Sequence, residues 1–112
     1  MLLCAFLISS LALIYFPLPV MASETTYDDD SKKNLDDPDV TYRIVGNGEK
    51  HVNGNYFTVP KDKSSESNPI VIILDNVYRS QIDKSPDNSF ITIEKGNYVI
   101  VKLRGKNIIQ AG

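Results

Sequence analysis

The chain has 112 residues, a single cysteine, a single histidine, no tryptophan and a formal net charge of −2 at pH 7. That length holds at most one small domain. Arg43, Arg79 and Arg104 are scattered among acids without a basic patch, which argues against nucleic acid as a partner.

Residues 1–22 carry no charge, and Leu2 to Phe16 is apolar apart from Ser9 and Ser10. Pro17 and Pro19 break any helix. Val20-Met21-Ala22 places small residues at the −3 and −1 positions of a cleavage site, so residues 1–22 read as a secretory signal peptide with a helical apolar region, cut after Ala22. The n-region departs from the pattern in lacking Lys and Arg. The alternative is an uncleaved membrane anchor, but the apolar run is about fifteen residues, short of the ~20 that a spanning helix needs. A membrane contact is therefore expected only through this segment, if it is retained. Cys4 lies inside it, so the cleaved chain has no thiol chemistry and no disulfide.

Residues 23–40 hold seven acids and two bases, with only Tyr27, Leu35 and Val40 as anchors. This composition predicts a disordered acidic linker. Asp28-Asp29-Asp30 and Asp36-Asp37-Asp39 lack the turn glycine and the oxygen spacing of a calcium loop.

From residue 41 the pattern becomes that of strands. Tyr42-Arg43-Ile44-Val45 alternates polar and apolar, and Gly46-Asn47-Gly48 and Asn53-Gly54 are turn signals. Tyr56 to Val59 is a second strand, ended by Pro60. Residues 61–69 form a polar loop. Ile70-Val71-Ile72-Ile73-Leu74-Asp75-Asn76 then aligns with Val99-Ile100-Val101-Lys102-Leu103-Arg104-Gly105, 29 residues on, and Phe57-Thr58-Val59 aligns with Ile91-Thr92-Ile93. A repeated unit of strand, turn, longer strand and polar corner marks a stacked, solenoid-like architecture. No helical periodicity follows the signal segment, so the expected fold is all-β, a short parallel β-helix of about two coils.

Strand side chains alternate in direction. Lys102 must face solvent, so Ile70, Ile72, Leu74, Val99, Val101 and Leu103 point inward, with Phe57, Val59, Ile91 and Ile93. Val71, Ile73 and Ile100 point outward, and Thr58 stacks on Thr92. Asp75 falls beneath Arg104, which predicts a cross-rung ion pair. The uppermost strand, Tyr98 to Leu103, presents an open apolar edge, a template for self-association.

No nucleophile–base pair, CxxC, HExxH or phosphate loop is present, so the expected protein is not an enzyme. His51, in a Gly/Asn-rich loop, has no partner nearby in sequence and reads as exposed. Tyr56, Tyr78 and Tyr98 are the binding candidates, because aromatic rings dock the C–H faces of sugars; Arg79, Gln81 and Asn97 lie beside them to meet hydroxyls. The bland alternative is that these tyrosines close the ends of the core with wet hydroxyls. Arg79 with Asp83 and Asp87 is the nearest imitation of a lyase arrangement, against an ordinary reading as loop residues.

The text of Ile70 to Val77 (IVIILDNV) and Phe90 to Gly112 (FITIEKGNYVIVKLRGKNIIQAG), opened by Gly46-Asn47-Gly48 and Phe57-Thr58-Val59, resembles the right-handed parallel β-helix carbohydrate-binding proteins on the surface of Clostridia and related Gram-positive bacteria. The resemblance covers roughly residues 41–112. It implies a secreted or cell-surface location and binding to plant polysaccharide, pectic or cellulosic. It also implies a fold in which bound calcium is common, although no motif pins a metal ligand here. Two coils are fewer than a solenoid generally needs, so residues 41–112 read as a domain incomplete at its C-terminus. The expected function is a non-catalytic carbohydrate-binding module, with Tyr56, Tyr78, Arg79, Asn97 and Tyr98 as contacts. The alternatives are a structural or adhesive surface protein and, behind it, a polysaccharide lyase remnant.

Overall fold

The structure, a computed structural model, describes residues 23–52, 54, 56–80 and 89–110. The signal segment with Cys4, and Asn53, Gln81, Asp83, Asp87 and the Ser85–Asn88 turn, lie outside the described residues.

The described chain is all-β. Its ten strands are β1 (Ser23–Asp28), β2 (Lys33–Asn34), β3 (Val40–Val45), β4 (His51–Val52), β5 (Phe57–Val59), β6 (Ile70–Asp75), β7 (Tyr78–Ser80), β8 (Ile91–Ile93), β9 (Val99–Arg104) and β10 (Ile108–Gln110). They form three sheets, ordered β1-β3-β6-β9, β4-β7-β10 and β2-β5-β8, here called the long, second and third sheets. Every ladder pairing among them is parallel. In chain order the strands visit the long, second and third sheets in turn. The first pass (β1, β2) has no strand in the second sheet. The next two passes (β3-β4-β5 and β6-β7-β8) visit all three, and the fourth comprises β9 and β10.

The repeat read from the sequence is a ladder register. Ile70 to Asp75 pairs residue by residue with Val99 to Arg104, and Phe57-Thr58-Val59 with Ile91-Thr92-Ile93. Alternation then selects the core. Ile44, Phe57, Val59, Ile70, Ile72, Leu74 and Val77 are buried between the sheets, with Leu35 and Tyr42. Phe57 meets Phe90 edge-on at 5.6 Å between ring centres and Tyr27 at 6.2 Å. Ile73 points away from this core yet is 7% exposed. It lies in register between Arg43 on β3 and Lys102 on β9.

Three expectations are corrected. Residues 23–40 are not a disordered linker: β1 pairs with β3 over six positions, β2 pairs with β5, and Leu35 is wholly buried. The acids of β1 alternate with Thr25 and Tyr27, whose sides face inward, so a charged strand still buries one face. There are consequently four passes along the long sheet rather than two. Third, Asp75 lies opposite Arg104 in register but pairs instead with Arg43, one pass below and diagonal to it. Arg43 donates to Asp75 Oδ2 from Nε at 3.0 Å and from Nη2 at 2.6 Å.

The short strands of the second sheet had no signal in the sequence, since two or three residues offer too little alternation. Their corners are built by close approach. A Cβ on Gly46 would overlap the backbone carbonyl of Asn76. Asn76 itself has φ of 55°, and Gly105 above it has 69°, a conformation that Asn and Gly tolerate best.

Candidate functional site

Two asparagines brace the passes. Asn107 Nδ2 donates to the carbonyls of Arg104 and of Leu74 in the pass below, and its Oδ1 accepts from the Val77 N–H. Asn97 does the same at another corner: Nδ2 donates to the Glu94 and Pro60 carbonyls, and Oδ1 accepts from the Lys63 N–H and the Ser64 hydroxyl. An amide has two hydrogens and two acceptor lone pairs, so Asn97 spends its whole capacity inside the fold. Tyr98 is half-exposed beside it, its N–H and carbonyl both tied to Ser64.

Tyr56 and Arg79, also candidates from the sequence, do meet, but inside the molecule. The Arg79 side chain points inward from β7, is 3% exposed, and lays its guanidinium carbon 3.9 Å from the Tyr56 ring centre and 5.0 Å from that of Phe90. Rings on which a guanidinium rests hold a cation that is otherwise costly to bury. Beneath it, in register, comes His51 on β4. His51 Nε2 lies 3.2 Å from Oδ1 of the buried Asp29, near enough for an ion pair but not aligned as a hydrogen bond. Burial pushes the Asp29 carboxyl up from its ordinary value, helped by Asp30 and Asp28, while His51 and Arg79 pull it back. A recess of about 210 Å³ opens beside this pair, lined by Asp28, Asp30, Glu49 and Asn47 among others. The sequence placed His51 in an exposed loop. Its contact with Asp29 depends on the first pass filling the place where the second sheet lacks a strand, and the only advance signal was that the histidine is single.

Tyr78 alternates with Arg79 and so faces outward. It lies in a recess of about 330 Å³ with Gly48, Asn76, Lys106 and Ile108. The volume falls at the lower end of the ~300–1,000 Å³ typical of ligand sites. The Lys50 ammonium stands 5.9 Å from the Tyr78 ring centre. The lining comes from three successive passes: Gly48 precedes β4, Asn76 and Tyr78 belong to the β6–β7 corner and β7, and Lys106 and Ile108 to the approach and start of β10. Asn76 Oδ1 accepts the Lys106 N–H, and its Nδ2 donates to Asp75, which holds the floor of the recess in place. Sequence reasoning found Tyr78 and missed Lys50, Lys106 and Asn76, which only stacking brings together.

The five sequence candidates thus occupy three places rather than one: Tyr78 outside on the second sheet, Tyr56 with Arg79 inside, and Asn97 with Tyr98 at the corner before β9. Among the described residues, no group of three or more His, Cys, Asp or Glu is placed to hold a metal ion. No helix among them is long and apolar enough to cross a membrane. Comparison with protein-family models, curated proteins and solved structures finds no match.

Proposed function

We propose that this chain is an exported, non-catalytic carbohydrate-binding module built as a short parallel β-helix, and that it takes acidic, pectin-like polysaccharide at the Tyr78 recess. Support for the β-helix is the cyclic visiting order of three parallel sheets. The resemblance to clostridial surface proteins and the signal-like residues 1–22 support export. The observation that carries the ligand class is the setting of Tyr78, an outward, partly buried ring with the Lys50 ammonium 5.9 Å from its centre and Lys106 among the residues lining its recess. The ring offers an apolar face to the C–H side of a sugar, and the two lysines suit the carboxylates of a uronic acid chain. A neutral glucan such as cellulose would satisfy the ring and leave both charges without partners.

The test is retention of the full chain on immobilised polygalacturonate and on cellulose, with and without EDTA. Polygalacturonate should retain it and cellulose should not, and Tyr78→Ala or the double substitution Lys50→Ala, Lys106→Ala should weaken retention about tenfold, the effect of one lost charged or stacking contact. Equal retention by both polymers, or unchanged retention by both variants, would overturn the assignment. Loss in EDTA alone would move the site to a calcium-bridged one.

A further inference from the structure

The two ends of the stack are opposites. At the first pass, residues 23–40 carry seven acids against two bases. At the last, residues 99–110 carry Lys102, Arg104 and Lys106 and no acid. The ends also differ in cover. Val101 is 45% and Leu103 70% exposed, although their register partners Ile72 and Leu74 are buried. Ile93 and Ile109 are likewise half-exposed. Among the described residues nothing pairs with the outer edge of β9 at this end or of β1 at the other.

We infer that copies of this chain stack head to tail, β1 of one copy adding to the β9 edge of the next as a further parallel strand. The columns of the long sheet give the register. Asp28, Val45, Asp75 and Arg104 form one column, and Tyr27, Ile44, Leu74 and Leu103 another. Continuing both by one strand sets Asp28 of the incoming copy on Arg104 and its Tyr27 on Leu103. Thr25 falls on Val101, and Glu24 lands diagonal to Lys102. Asp28 also lies diagonal to Lys102 in the sense already used within the chain, where Arg43 meets Asp75 of the strand above at 2.6 Å and Glu24 of the strand below at 4.0 Å. The join repeats the spacing of about 4.8 Å found between neighbouring strands and covers the two most exposed inward residues of β9. Because the contact joins unlike surfaces, it propagates rather than closing into a symmetric pair. Assembly goes beyond glycan binding and does not use the Tyr78 recess.

Sedimentation velocity of the full 112-residue chain across a concentration series tests this, first at low salt and then at high salt. Assembly should grow with concentration and recede with salt, since charges at the join are screened. Two charge reversals, Lys102→Glu with Arg104→Glu at one end and Glu24→Lys with Asp28→Lys at the other, change exposed side chains only. Each alone should raise the concentration needed for assembly by about tenfold or more. Mixing the two variants, or combining all four substitutions in one chain, should restore assembly, because unlike ends meet again. A monomer at every concentration overturns the inference and leaves the apolar end to a different partner. Assembly that the single-end reversals do not weaken, or that mixing does not restore, overturns it as well.

Discussion

Arg43→Ala should be among the most damaging single changes at a partly exposed position, and the damage can be worked from the Asp75 carboxylate. Asp75 has a side chain 6% exposed and receives two bonds from Arg43 on Oδ2, with Asn76 Nδ2 on Oδ1 at 2.8 Å. Without Arg43 the carboxylate keeps one neutral donor in a nearly dry place. Removing one partner of a buried ion pair costs about 3–5 kcal/mol. The Arg43 side chain is 31% exposed, so water can fill part of its place, and the expected loss falls to about 2–3 kcal/mol. Asp75→Asn removes the buried negative charge, keeps the volume and leaves Arg43 facing Glu24 and solvent, so it should cost only about 1 kcal/mol. Arg104→Ala, at the position directly opposite Asp75, should stay within about 0.5 kcal/mol, as expected of an exposed side chain outside the pair. Urea unfolding followed by far-UV circular dichroism, with unchanged denaturant slopes, measures all three. If Arg104→Ala costs as much as Arg43→Ala, the diagonal pairing is wrong and the pair runs straight up the column.

Gly46→Ala should destabilise by at least about 1–3 kcal/mol by forcing the Asn76 carbonyl aside, a loss read in the same unfolding experiment; a neutral result would mean that the corner is looser than described. Asn107→Ala leaves the buried Val77 N–H and the Leu74 carbonyl without this partner, for a loss of about 1–3 kcal/mol that hydrogen exchange at Val77 should report as weakened protection. Asp29 has a native pKa raised above its ordinary 3.8. Between that raised value and 3.8 the native state holds more protons than the unfolded chain, so this group's contribution to stability grows as pH falls through the window. The stability of the protein relative to Asp29→Asn should therefore improve on acidification, and a difference that stays flat with pH would contradict the burial of the carboxyl. Phe57→Ala should cost about 3–5 kcal/mol, since Phe57 is fully buried against Tyr27 and Phe90; a much smaller change in the urea midpoint would place the ring outside the core.

What the residues determined by themselves is what depends on neighbours along the strand. Lys102 in 99–104, carried across the repeat onto the continuously apolar 70–74, marked the inward and outward sides, and the match of Phe57-Thr58-Val59 to Ile91-Thr92-Ile93 set a register that the ladders keep. Tyr78 was legible as a candidate because an aromatic ring with Arg79 and Gln81 near it in sequence suits the C–H face and hydroxyls of a sugar. What depends on neighbours across the stack was decided only by tertiary structure. The run Ser23–Asp28 looks like linker until β3 offers it an edge and a core for Tyr27. Asp75 could be set opposite Arg104 by counting, but an ion pair forms where two side chains reach the same shielded spot. Arg43 reaches it from the pass below, while Arg104 lies at an open end with water as the better partner. Asn97 looked free to bind a ligand, and the corner consumed all four of its hydrogen-bonding valences. Gly48, Tyr78 and Lys106 are far apart in the chain and become one recess because each pass lays its corner on the one before.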